Sequence, residues 1–481
     1  MYFEPQMQYR NQHNSAPCTE PLSRESAVEE PDIIVVGGGI LGAAFATVMA
    51  KDGRKVTMIE RDMKEPDTIA GEIVQPGGIK LLQELGLHDA IKGKDAAPIR
   101  GYCIKDLIFN MKSTLPLPLS ENKEVIEAKG LHHGRFVMGL RKLAMAEPNV
   151  TVIEGNVTSL LEENACVIGV QYKDKEGGDV KKLYAPLTLV ADGIFSNLRK
   201  SLISRKPQVT SQFTGVIMEV LPGQNITTLL SCSVKSRAIV MYPISTTETR
   251  VMVDTTGIQP RNLKNFLQEE AYSYIPDHQK EAFLLGLQND NLKSFPTRYV
   301  PAVAVDKPGV LVLGDAFNLR HPFTAAGMTI ILNDIAIFKQ LLQNIPDLYD
   351  DKAILKAKRQ FYAIRKKKFS FVMNILAELI YKLFTATDES VIQIRKALIF
   401  RSSLSEEWSL KLSLQVAGLS TKPWTLIKVC LDIVLCAVYL TFKSEPWYTK
   451  PRAIFRTGVM LHRASALLLP LIFSELKHHD N

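Results

Sequence analysis

Six cysteines in 481 residues, at Cys18, Cys103, Cys166, Cys232, Cys430 and Cys436, form no CxxC pair. Their scatter offers neither a zinc site nor a disulfide framework, and it predicts free thiols in a reducing compartment. The first thirty residues lack an apolar stretch and are polar, with Pro and Gln. Residues 1–30 therefore read as a disordered leader without a cleavable signal peptide. Zinc-finger and RNA-recognition signatures are absent, and basic residues do not interleave with aromatics along one helix. Nucleic acid is not an expected partner, and no metal is expected. Clean spanning helices are missing too, since no stretch of about 20 apolar residues is free of charge.

What is present suffices for a folded chain. Hydrophobic residues make up 46% and charged residues 22%, with a net charge of +8. That length exceeds one small core and predicts two or three domains. The positive balance suits an anionic membrane face or an acidic partner.

PDIIVVGGGILGAAFATVMAKDGRKVTMIERD, beginning at Pro31, reads as strand, glycine turn, helix, strand. Ile33–Val36 is a continuous apolar run, as expected of a parallel strand covered on both faces. Gly37, Gly39 and Gly42 form GxGxxG at the opening of a helix over Ile40–Lys51, and Glu60 closes the second strand 18 residues after Gly42. Gly37 permits the tight turn, Gly39 a close approach to a pyrophosphate, and Gly42 helix–strand packing. Glu60 can accept from ribose hydroxyls. These features together predict an adenine dinucleotide and leave FAD and NAD both open.

Helix is predicted over Arg135–Glu147, and strand over Val150–Glu154 and Pro186–Ala191. Between 206 and 256, four short apolar runs broken by Pro, Gly, Ser and Thr predict an antiparallel sheet in a separate lobe. Residues 262–290 read as helical. A buried strand over Gly309–Gly314 makes the first domain discontinuous. That strand ends on Asp315, followed by Arg320, His321 and Pro322. A carboxylate there suits a second ribose or a ribityl chain and equally suits the N-cap of the following helix.

From about Asp350 the chain reads as wholly helical. Residues 352–368 hold eight Lys or Arg and no acid, a solvated face or a patch for anionic headgroups. Thr425–Phe442 carries Lys428 and Asp432, and Gly458–Phe473 carries His462, Arg463 and Pro470. Flanked by Trp424, Trp447 and Tyr448, these segments read as helices embedded in one leaflet, the alternative being a buried hairpin.

Several stretches resemble a known family. GxGxxG with Glu60-Arg61, VADG (Val190–Gly193) and VLGDAFNLRHP (Val312–Pro322) together are similar to class A flavin monooxygenases. EPDTIAGEIVQPGG (Glu65–Gly78), HHGRFVMGLRKLAMAEPN (His132–Asn149), KSEPW (Lys443–Trp447) and KPRA (Lys450–Ala453) resemble the squalene monooxygenase family more specifically, from about Pro31 onward. The long N-terminal membrane-inserting region of the animal enzymes is not matched.

The resemblance implies an α/β chain. Its Rossmann-type FAD-binding domain would comprise residues 31–105, 131–205 and 299–345. An antiparallel-sheet substrate domain would comprise 206–298, with an insertion at 106–130. A C-terminal helical membrane-associated region would take up 346–481. It implies FAD as cofactor, squalene and O2 as substrates, an NADPH-dependent microsomal flavoprotein reductase as electron donor, membrane lipid as neighbour, and the cytoplasmic face of the endoplasmic reticulum membrane as location. The product would be 2,3-oxidosqualene for sterol synthesis. By the same resemblance Glu60 and Arg61 hold the adenosine half. Arg141 and the Val157 backbone contact FAD, and Asp315 and Met328 lie along the ribityl chain and flavin. Gln75 and Tyr102 form a polar pair in the active site, and Tyr242 and Phe384 line an apolar tunnel. Flavin chemistry needs no protein nucleophile.

Three departures stand out. The family's three glycines before Met328 are Ala325, Ala326 and Gly327 here. Thr68 replaces an arginine that contacts FAD, and Leu410–Gly418 lacks a Gly-Pro pair. Two other readings follow: a catalytically weak relative retained as a membrane-bound binding or scaffold protein, and a flavin monooxygenase or reductase acting on another isoprenoid.

Overall fold

The computed structural model describes residues 30–175, 177–220, 228–232, 235, 237–257, 261–289, 292–367 and 369–476. The leader expected at 1–30 therefore lies almost wholly outside the described residues.

Continuous apolar runs build the centre of the first sheet. Its strand order is Val180–Tyr184, Cys166–Asp174, Val150–Glu163, Val56–Glu60, Ile33–Val36, Leu187–Val190, Val310–Val312. Ile33–Val36 pairs in parallel with Val56–Glu60 on one side and Leu187–Val190 on the other, and its four residues are buried. The helices Ile40–Lys51, His133–Ala146 and Gly327–Leu342 cover this sheet. Val310–Val312 joins it as a parallel neighbour of Leu187–Val190, so a strand near 310 completes the domain that opens at 33.

The four runs between 206 and 256 form consecutive strands of a second sheet: Gln208–Glu219, Thr228–Cys232, Ala238–Pro243 and Glu248–Asp254. Lys293–Tyr299 flanks it on one edge, Gly101–Asp106 and Met111–Pro116 on the other. All its pairings are antiparallel except that of Thr228–Cys232 with Gly101–Asp106. The chain thus enters this sheet at Gly101, ahead of the boundary expected after 105. A third, small sheet of Ile73–Val74, Ala128–Gly130 and Ala97–Ile99 lies where the chain passes between the two.

The C-terminal region divides. Helix Asp351–Lys367 buries Ile354, Ala357 and Phe361 in the first core, so the first domain extends beyond 345. Its basic face is not wholly solvated. Lys358 turns inward and donates to the carbonyls of Lys307 at 2.7 Å and Val310 at 3.0 Å. Arg365 forms a buried pair with Asp334 at 3.1 Å. The helices Phe369–Phe384, Glu389–Leu404, Glu406–Val416 and Pro423–Ser444 instead cover the second sheet. Among the described residues Cys103, Cys430 and Cys436 are free thiols.

Candidate cofactor cleft and apolar cavity

Gly37 ends its strand at φ +101°, and a Cβ there would stand 2.6 Å from the Ala191 carbonyl oxygen. A Cβ on Gly42 would stand 1.8 Å from the Gly37 carbonyl, so helix and turn touch only because that side chain is absent. Gly39 differs: a Cβ there meets no atom within 4 Å. Gly39 is the N-cap of Ile40–Lys51 and has no side-chain cap, so the open space lies against unsatisfied N–H groups. That is the geometry of an anion cradle.

Glu60 and Arg141 frame the turn. Glu60 Oε2 accepts from Gly38 N at 2.5 Å. Arg141, buried, donates through Nε to Gly38 O at 2.7 Å and through Nη1 to Lys64 O at 3.0 Å, with Nη2 3.6 Å from Glu60. Arg61 and Thr68 are exposed. Val157 is half-buried in Val150–Glu163 beside a register shift, with its side chain against the first core.

Three neighbouring strands converge on this edge. Ala191 N donates to Val36 O at 2.9 Å and Leu313 N to Val190 O at 3.2 Å. Gly37, Asp192 and Asp315 therefore sit at the carboxyl ends of adjacent parallel strands, where open α/β sheets hold ligands. Solvent reaches the Asp315 side chain. The protein surrounding it still pushes the carboxyl up, against the pull of Arg320, His133 and Arg199. Asp192 Oδ1 and Arg320 Nε and Nη1 are buried without partners. Unmade hydrogen bonds of this kind at one cleft call for a polar ligand.

His321 does not face that cleft. Its ring stacks on Tyr381 at 3.7 Å between centroids, its Nε2 meets Ser211 Oγ at 2.8 Å, and its N–H donates to Glu378 at 2.8 Å. Burial pulls it down to about 3, so it is neutral. It pins the segment after Asp315 to the second sheet and to helix Phe369–Phe384. The chain then reaches Ala325 at φ +52° and Ala326 at φ −74°. One alanine thus takes the left-handed conformation, at about 1–2 kcal/mol. Met328 lies in the first turn of Gly327–Leu342 and is buried in the first core.

Gln75, the N-cap of Pro76–Glu84, donates to Thr324 O at 2.9 Å. The Tyr102 hydroxyl donates to the Gln75 amide oxygen. Both side chains line a cavity of about 860 Å³, part of it open to solvent. Phe323, Ala325, Phe384 and aliphatic side chains complete most of its wall. Tyr242 is not among the lining residues: its hydroxyl donates to Glu72 at 2.9 Å. Glu72 in turn takes a bidentate pair from Arg250, at 2.7 and 3.1 Å, with both residues buried. Sequence reading passed over this pair. Its signal was an arginine inside the apolar run TRVMVD.

The two late apolar segments are the helices Pro423–Ser444 and Lys450–Leu476. Leu426, Val429, Ile433 and Ala437 of the first face the cavity side and the second core. Trp424, Leu431, Leu435 and Tyr439 form a stripe that is 56–73% exposed. Phe455, Leu461, Leu469 and Phe473 continue an exposed apolar surface on the second helix. Both helices are long and apolar enough to cross a bilayer. A wholly buried hairpin is ruled out, and the uncovered face associates with membrane. Among the described residues no His, Cys, Asp and Glu group could hold a metal.

Residues 184–455 match the family model for squalene epoxidase. A squalene monooxygenase of Mus musculus is 50% identical over 453 residues, covering 94% of this chain and 79% of the relative. Squalene epoxidase 3 of Arabidopsis thaliana is 37% identical, covering 92% and 84%, and a squalene epoxidase of Schizosaccharomyces pombe is 34% identical, covering 94% and 99%. Among solved structures, p-nitrophenol 4-monooxygenase from Pseudomonas putida aligns with a TM-score of 0.67 at 15% identity, covering 82% of this chain and 98% of that one. A probable FAD-dependent monooxygenase from Pseudomonas aeruginosa aligns at 0.59 and 17%, covering 81% and 99%. These two establish likeness of fold.

Proposed function

The chain belongs to the squalene epoxidase family, and from that footing we propose that it binds FAD between Gly37 and Asp315 and epoxidises squalene to 2,3-oxidosqualene in sterol biosynthesis. The observation that carries this reading is the meeting of three features. An open anion cradle at Gly39 and a cleft edge bearing Asp192 and Asp315 share one face of the first sheet, and the segment after Asp315 forms the wall of an apolar cavity.

The residues present fit a diphosphate-linked flavin. The Ile40–Lys51 N-terminus holds the diphosphate, and Glu60 and Arg61 the adenosine half. Arg141 fixes the glycine turn through Gly38 and Glu60. Asp315 and Met328 lie along the ribityl chain and flavin, and the Val157 backbone contacts FAD elsewhere along its length. When bound, FAD supplies oxygen activation, delivering an electrophilic oxygen atom to an alkene. The protein's share is position and dryness. Gln75, held from both sides by Tyr102 and Thr324, is the polar mark at the flavin end of a hydrocarbon-lined cavity. Burial raises Tyr102, so it remains a hydrogen-bond donor. Phe384 and its aliphatic neighbours hold the chain of the substrate.

A substrate dissolved in membrane suits a cavity partly walled by a membrane-facing helix. The electrons come from NADPH through a microsomal flavoprotein reductase, and the hairpin lies in the cytoplasmic leaflet of the endoplasmic reticulum. Reconstitution with FAD, reductase, NADPH and squalene tests the reading. Oxidosqualene formed only with all components present supports it. No product from flavin-loaded protein, with either the reductase or chemically reduced flavin, refutes it. The reading of a weak relative draws on one observation, the left-handed Ala325 in the wall facing the flavin site.

A further inference from the structure

A compact basic and apolar patch lies beside the cofactor cleft, on its outer side. Phe195 is 64% exposed, and the Arg298 guanidinium lies over its ring at 4.7 Å. Val209, 63% exposed, is the register partner of Arg298 on the neighbouring strand. Lys200 and Lys206 are exposed on the connecting segment. From Arg199 to Thr210 the sequence holds four Lys or Arg and no acid. Two large exposed hydrophobics among same-sign charges form a composition that marks a protein contact.

The patch connects directly to the cleft. Arg199 Nη1 donates to the Asp315 carbonyl at 3.4 Å, and the charge of Arg298 acts on Arg199. The Asp192-Gly193 turn immediately precedes Phe195. A partner seated here would stand against the wall of the flavin site. The patch also points away from the membrane hairpin. Tyr299, which meets Ser474 of the last helix at 3.1 Å, is on the opposite face of its strand from Arg298.

We infer that this patch is the docking surface for the acidic face of the electron-donating flavoprotein, an inference that rests on the epoxidase reading above. Each turnover takes two electrons from NADPH and two protons, one from the NADPH hydride and one from solvent. One atom of O2 enters the substrate and the other leaves as water. The donor must approach the flavin without entering the apolar cavity, and a charged, dry-centred patch outside the Asp315 wall provides that approach. Charge complementarity of this kind acts on encounter and register, and salt weakens it.

The test uses full-length flavin-loaded protein carrying Lys200→Glu and Lys206→Glu together, with Lys200→Arg and Lys206→Arg as the conservative control. The KM for reductase should rise about tenfold in the glutamate variant and lose most of its salt dependence, with the arginine variant unchanged. Single-turnover epoxidation by chemically reduced flavin should be unchanged in both. An unaltered KM and salt dependence overturns the inference. Loss of binding to phosphatidylcholine–phosphatidylserine vesicles with an unaltered KM also overturns it, making the patch a membrane contact. If wild-type protein turns over with chemically reduced flavin but not with the reductase, the donor is wrong and the docking proposal falls. If it turns over with neither, the epoxidase reading itself fails.

Discussion

Tyr102 and Gln75 are buried partners contributed by the second sheet and by the start of a helix on the first domain. The Tyr102 hydroxyl donates to the Gln75 amide oxygen, and the Gln75 nitrogen donates at 2.9 Å to Thr324, next to Ala325. One amide thus links the substrate lobe, the cofactor domain and the segment between cleft and cavity.

Tyr102→Phe removes the hydroxyl that donates to the Gln75 oxygen and leaves that oxygen buried. The expected cost is about 1–3 kcal/mol. In the proposed function the pair stands at the reacting end of the cavity, so kcat should fall about tenfold or more while FAD affinity stays within about twofold. Steady-state kinetics alongside flavin titration checks this.

Ala325 and Ala326 should respond to glycine with opposite signs. At φ +52°, Ala325→Gly relieves about 1–2 kcal/mol of strain and loses about 0.4–1 kcal/mol to unfolded-state entropy, so stability is unchanged or rises. At φ −74°, Ala326→Gly carries the entropic loss and also removes a methyl buried among Ile330, Phe369 and Met373, so it lowers stability by about 1–2 kcal/mol. Denaturant melts of the protein without flavin measure both. FAD titration shows whether the Ala325 methyl also weakens the cofactor, as the weak-relative reading requires.

His321 gives a pH signature. Its folded pKa of about 3 lies below the ordinary value of about 6.5, so the unfolded chain binds the proton first. The stability is fully present above about pH 6.5 and is lost as pH falls toward 3, at a slope approaching about 1.4 kcal/mol per pH unit for this one group. In His321→Asn the slope of unfolding free energy between pH 6 and 4 should flatten by about one proton. Chemical denaturation across that range measures it.

The parts of this molecule legible in sequence were those written locally. The run Ile33–Val36, its glycine turn and Glu60 carry their geometry within thirty residues, and the structure forms them as read. The four runs between 206 and 256 announced a sheet by the same local means. What sequence hid depended on partners far along the chain. Lys358 and Arg365 read as a solvated face, yet they turn inward to Val310 and Asp334. Tyr242 read as cavity lining, but Glu72, 170 residues away, holds its hydroxyl. The strand Gly101–Asp106 read as the end of the first domain, whereas Met111–Pro116 already read as part of an insertion of the substrate domain. Their hydrogen bonds lie with Thr228–Cys232 and with each other in the second sheet. His321, just ahead of the left-handed Ala325, is likewise fixed by distant partners, Tyr381, Ser211 and Glu378.

The central claim is that the space above Gly39 holds the FAD diphosphate, and Gly39→Ala probes it most directly. An added methyl meets no protein atom there. The flavin-free variant should therefore melt within about 1 kcal/mol of wild type, as for a Gly→Ala change free of clashes. FAD binding, followed by flavin fluorescence quenching, should weaken about tenfold or more as the methyl displaces the diphosphate from the helix N-terminus. Wild-type affinity in a well-folded Gly39→Ala protein would contradict the account.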